Sequence, residues 1–160
     1  MNPVIIPIIT ALLGILGGYF ANMQLERKRK YLATKREQLQ YVYAPLEIIT
    51  RINRQEFDRY FEEKTTDVEK EYIETHVWFP NNSEIRRILI SQAHLLDDMP
   101  AEIYSLISHI NVWLSEYNLV HTLKIKHGPV FVAYKGQRYP TGVDKIIQDK
   151  AAALRKILNR

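Results

Sequence analysis

There is no cysteine in these 160 residues. That absence excludes disulfides, thiolate metal sites and cysteine nucleophiles together. Glycine and proline are sparse, at six and seven residues, and they do not cluster into a linker or an internal repeat. Catalytic signatures are missing too: there is no phosphate-cradling glycine loop, nucleophile elbow or dinucleotide fingerprint. The histidines, His76, His94, His109, His121 and His127, never take the paired helical spacing of a zinc protease. His109 and His121 fall about three turns apart on one helix, too far to share an ion. Asp97 and Asp98 precede Pro100 and are read as capping residues. No metal, cofactor or catalytic residue is expected, and the chain is read as a non-enzyme.

Also lacking is a broad charge of one sign. The formal net charge of +4 comes from 22 basic and 18 acidic residues. Residues 24–36 hold six of the basic ones, Arg27, Lys28, Arg29, Lys30, Lys35 and Arg36, against Glu26 alone. Everything from Glu37 onward is therefore near neutral, with 16 basic and 17 acidic residues. Long duplex DNA or RNA calls for a wide basic face, so it is not an expected partner.

What is there, first, is an uncharged run of 21 residues from Pro3 to Met23. As an α-helix it suffices to cross a bilayer core of about 30 Å. The basic cluster behind it suits anionic headgroups and holds that side in the cytoplasm. No basic residue precedes the run and Met23-Gln24 is no cleavage site, so an uncleaved anchor is expected rather than a signal peptide. Residues 1–23 are read as a transmembrane anchor, 24–44 as a basic helical stalk, and 45–160 as a cytoplasmic domain. The location this implies is the inner membrane, single-pass, with the C-terminal domain cytoplasmic.

Steps of three and four along the helix meet Ala11, Gly14, Gly18, Ala21 and Leu25, then Lys28, Leu32, Lys35, Leu39, Val42 and Leu46. Small residues in lipid followed by leucines in water form one seam. Gly14, Gly18, Leu25, Leu32 and Leu39 are therefore expected to join subunits of a homo-oligomer. The leucines have an alternative use, packing within one subunit.

The fold class expected is mainly α, with one small β-hairpin. Pro45 lacks an amide donor and predicts a kink or restart at Ala44-Pro45. Helices are expected over Leu46–Phe61, about Ser83–Leu96, Pro100–Val120 and Val143–Leu158. Val130 to Tyr139 reads as the hairpin. Asn81 and Glu84 are spaced as a capping box, so His76–Asn82 is expected to be a connection leading into a helix.

A small anionic ligand is the chemistry this pattern favours. Arg51, Asn53 and Arg54 follow the Pro45 break, and His76, Trp78, Asn81 and Asn82 lead into a helix start whose free amides suit phosphate. Arg86 and Arg87 follow close behind. Aromatic faces beside carboxamides are what base recognition needs. The alternative is that Trp78 and Phe79 fill the core and the arginines face solvent.

Lys35-Arg-Glu-Gln-Leu-Gln-Tyr-Val-Tyr-Ala-Pro-Leu46 resembles the Tyr-x-Pro-Leu segment that follows the anchor in small bacterial single-pass membrane proteins. His94 to Pro100 and Ser108-His-Ile110 are similar to later parts of such proteins. In architecture the chain is similar to the membrane-anchored effectors of type III CRISPR antiviral defence. That resemblance implies a cytoplasmic domain binding a cyclic oligoadenylate and a membrane part that then perturbs the bilayer or opens a pore. A membrane-anchored adaptor or scaffold binding a protein partner is the alternative, and a phage-encoded exclusion protein is a third.

Overall fold

The computed structural model describes residues 5–96, 100–126, 130 and 138–159, with side chains at residue 14 and from 16 onward. The described chain is mainly helical and holds no strand. Most of the expected hairpin, residues 131–137, lies outside the described residues.

Helix α1 runs unbroken from Ile5 to Gln38, 34 residues, or about 50 Å at 1.5 Å per residue. Among the described residues no helix is long and apolar enough to cross a membrane. Gly14, Gly17 and Gly18 have nothing within 4 Å of where a Cβ would stand, so this face is open in the single chain. Leu16, Tyr19, Phe20 and Leu25 are exposed as well.

The chain passes Pro45 without leaving the helix. Leu39–Tyr43 form a π-helical turn, and α2 follows directly over Ala44–Tyr60. The Ala44 amide reaches back five residues to Leu39 O. The wider turn absorbs the donor that Pro45 lacks, so the expected break becomes a change of helical register. The same device recurs at Pro80. After the short α3 (Asp67–Tyr72), a π-turn over Ile73–Trp78 leads into α4 (Phe79–Ser91), and the Phe79 amide reaches Glu74 O.

This corrects two expectations. His76–Asn82 is helical rather than a connection, so no free helix start exists at Ser83 and the capping box of Asn81 and Glu84 does not form. A capping box is present instead at α3, where Thr66 and Glu69 exchange hydrogen bonds. Across the first π-turn the seam keeps one direction, since Leu39, Val42, Leu46 and Ile49 all meet the main core. Below the turn the apolar residues are used inside the subunit: Val42 and Leu46 are fully buried and Leu39 packs against the same core. Gly14, Gly18 and Leu25 remain open above it, with Leu32 only partly covered.

A 3₁₀ turn (Ala93–Leu95), α5 (Ala101–Tyr117), a third π-turn (Asn118–Thr122) and α6 (Val143–Leu158) complete the described chain. Leu46, Ile85, Ile88, Leu89, Ile103, Leu106, Ile110, Ile147 and Leu154 form the main core between α2, α4, α5 and α6. The stalk is fastened to it by Gln38, which is fully buried and donates its amide to Leu95 O at 2.8 Å. α6 lies against the base of α1, the first π-turn and α2. Arg155 adds a 2.6 Å ion pair to Glu47 there.

A second core is aromatic. Tyr60, Trp78, Trp113 and Tyr117 meet with Ile73, Val120 and Val130. Trp78 stacks on Tyr60 at 4.8 Å between ring centres and meets Trp113 edge-on at 6.4 Å. Beneath these rings Glu74 is fully buried. One of its oxygens accepts from the Tyr60 hydroxyl at 2.8 Å and the other meets His121 Nε2 at 2.9 Å. Burial, and after it the Glu74 carboxylate, push the Tyr60 phenol well up, so it stays protonated and donates.

Candidate functional site

A cavity of about 460 Å³ opens beside the aromatic core, within the size range of small-molecule sites. One wall is apolar and aromatic, made by Phe57, Trp78 and Trp113. Both indoles are almost wholly buried, so they offer edges and part of a face, while Phe57 is more open. The polar lining comes from Thr50, Asn53 and Arg54 on α2, Asn82 on α4 and His109 on α5. The segment Arg138–Gly142 and Asp144, where α6 begins, close the remaining side.

Helical spacing explains why α2 contributes as it does. Thr50, Asn53, Arg54 and Phe57 recur at steps of three, one and three, which places them on one helix face. Asn53 bridges to the facing helix through carboxamides. Asn81 Nδ2 donates to Asn53 Oδ1 at 2.7 Å, and Asn53 Nδ2 donates to Asn82 Oδ1 at 3.1 Å. Arg54 lies over the Phe57 ring and pairs with Asp58 at 3.6 Å in the open. Tyr139 donates its hydroxyl to the Asp144 carboxylate and meets the His109 ring edge-on. Burial, then that carboxylate, hold the Tyr139 phenol protonated.

Of the residues singled out in the sequence, the fold brings Asn53, Arg54, Trp78 and Asn82 to the cavity. Asn81 stands behind them and orients Asn53. Arg51 does not join them: it is exposed and pairs with Glu47 at 3.2 Å. His76 is exposed and packs against Tyr72 rather than the cavity. Arg86 donates to Asn111, and Arg87 forks onto Glu84 with bonds of 2.6 and 2.7 Å. Their charges are used on the surface.

The sequence reading passed over His109, Trp113, Arg138, Tyr139 and Asp144. Arg138 and Tyr139 are read in the sequence as the end of the hairpin, yet the structure places them in no strand and against the cavity. Their signal was a cation and an aromatic ring placed within one turn of an uncapped helix start.

Among the described residues no group of three or more His, Asp or Glu side chains is placed to hold a metal ion. What the cavity can do is bind. It combines an apolar wall, orientable amides and guanidinium groups, the set that holds a flat, anionic small molecule. No protein-family model, curated protein or solved structure matches the chain.

Proposed function

We propose that the chain is a single-pass inner-membrane effector whose cytoplasmic domain binds a nucleotide messenger of the cyclic oligoadenylate class and relays binding to its anchor. The observation that carries this reading is the cavity lining, with Trp78 and Trp113 beside Asn53 and Asn82 and with Arg54 and Arg138 at its polar side. Aromatic edges and carboxamides suit a base, and guanidinium groups suit a phosphate. The near-neutral domain fits a ligand that brings only a few charges, where a long polyanion would require a basic face.

The anchor reading rests on the uncharged run from Pro3 to Met23 and the basic cluster that follows. α1 is helical from within that run to Gln38, so one rigid element joins the anchor to the domain. The cavity is walled partly by the start of α6, and α6 also packs on the base of α1. A ligand that repositions α6 thereby acts on the stalk. Moving a minor arrangement to dominance takes a differential affinity of about 5 kcal/mol. Several charge-assisted hydrogen bonds supply that order of energy. The membrane part then perturbs the bilayer or opens a pore, and the defence role follows from that action.

The test is titration of the full chain, in detergent, with cyclic tetra-adenylate. Binding at a hundred times Kd is expected to stabilise the fold by about 2.7 kcal/mol, visible as a raised Tm. Arg54→Ala and Asn82→Ala are expected to weaken binding by about 1.5 to 3 kcal/mol, the worth of a hydrogen bond to a charged group. Arg51→Ala and His76→Ala leave it unchanged. Absence of heat and of thermal stabilisation across cyclic di- to hexa-adenylates rejects the messenger reading and favours a protein-binding adaptor.

The open Gly14 and Gly18 face of α1 is the expected subunit contact within the membrane. The detergent-solubilised chain is expected to be a homo-oligomer. Replacing both glycines by leucine is expected to reduce its mass by light scattering while leaving the domain folded. A wild-type monomer at micromolar concentration rejects the shared seam.

A further inference from the structure

The first turn of α6 opens into the same cavity. Gly142 stands ahead of it at φ +85, with no side chain to cap the helix. Val143 N–H reaches Pro140 O at a long 3.4 Å, and the amides of Asp144 and Lys145 find no acceptor among the described residues. Free amides at the start of a 16-residue helix favour an anion.

A second observation points to a ligand independently. Asn82 is only 7% exposed and lines the cavity. Its amide oxygen is occupied by Asn53, whereas its amide nitrogen donates to no described residue. The relay from Asn81 through Asn53 to Asn82 therefore ends in an unspent donor at the cavity. No buried side-chain nitrogen or oxygen among the described residues lacks a partner, so the Asn82 nitrogen is reached by solvent, and a ligand acceptor at the cavity takes the place of water there. Arg138 completes the set. Its guanidinium lines the cavity and makes no ion pair with any described residue. Arg54 is shared with Asp58, and the Asp144 carboxylate is engaged by Tyr139.

We propose that the cavity is a two-part site for one nucleoside phosphate unit per subunit. The phosphate rests against Arg138 and the first amides of α6. An acceptor atom of the base meets the Asn82 amide, beside the wall made by Phe57 and the two indoles. This rests on the nucleotide reading above and adds where the phosphate lies, at a helix start some sixty residues beyond the one that the sequence suggested. It also makes α6 the element that senses the anion.

Calorimetry on the full chain in detergent tests it, with cyclic tetra-adenylate, adenosine 5′-monophosphate and adenosine as probes. The variants are Arg138→Ala, Asn82→Asp and Arg51→Ala, each checked for an unchanged melting curve. Arg138→Ala is expected to weaken both phosphate-bearing probes at least tenfold and to leave adenosine unaffected. Asn82→Asp is expected to weaken all three, because a carboxylate then faces the acceptor. Arg51→Ala, outside the cavity, changes none. Phosphate-bearing probes that bind the Arg138→Ala variant as they bind wild type overturn the phosphate placement and leave the nucleotide reading standing. Tighter binding by Asn82→Asp overturns the direction of the amide relay and with it the base half of the site. Wild type that binds none of the three probes overturns the site and the nucleotide reading together.

Discussion

Glu74→Ala is expected to be the most damaging single substitution in the helical domain. The carboxylate is fully buried and joins two π-turns, its own over Ile73–Trp78 and the one holding His121 over Asn118–Thr122. Removing it strips the buried Tyr60 hydroxyl and the part-buried His121 Nε2 of their shared acceptor. Breaking a buried pair by deleting one partner costs about 3 to 5 kcal/mol. At a few degrees per kcal/mol, a Tm lowered by about 10 °C is the expected reading. Glu74→Gln keeps an acceptor for Tyr60 and is expected to lose much less. Thermal melts of the three chains decide the matter. An alanine variant within about 1 kcal/mol of wild type would show that the network contributes little beyond its desolvation.

Ile147→Ala is expected to rank next, and its effect reaches beyond stability. Ile147 is fully buried where α6 docks against the main core. An isoleucine-to-alanine change at such a position costs about 2 to 5 kcal/mol, the spread reflecting how far the site can collapse. Because the start of α6 walls the cavity, loosening this helix is expected to weaken ligand binding as well. Leu106→Ala serves as the control. Leu106 is equally buried but lies on α5, so a similar loss of stability is expected with a smaller loss of affinity. Denaturant melts and titrations on the same samples separate the two effects. Equal loss of affinity in both variants would mean that α6 has no special place in the site.

The helices were legible where periodicity and boundary residues agreed. Val143–Leu158 appears as the sequence indicates, and α2 differs from its expected span by only a residue or two. The misreading came at proline. Pro45 and Pro80 each signal a break by local rules, and each sits one residue into an α-helix that follows a π-turn. Whether a chain breaks or widens there depends on burial of the flanking residues, such as Tyr43 and Trp78, which is a tertiary matter. The site was legible on α2 and α4, where Asn53, Arg54, Trp78 and Asn82 fall within about thirty positions of one another and are joined by one helix pairing. Arg138 and Asp144 reach the same cavity only because α6 folds back across α2. No local spacing carries that information. Arg51 was misplaced for a simpler reason: nearness to Asn53 in sequence puts it on another face, where Glu47 holds it.

The π-turn at Leu39–Tyr43 joins α1 directly to α2. In an α-helix each residue advances the chain by about 100°. One residue accommodated or released within the turn therefore swings everything toward the N-terminus by that angle, while Val42 and Leu46 keep their places in the core. The bearing of the open glycine face of α1 on the domain is therefore set by these five residues, none of which lines the cavity. If the glycine face joins subunits as proposed, a single-residue insertion or deletion in this turn is expected to change the angle at which they meet while leaving the cavity lining in place.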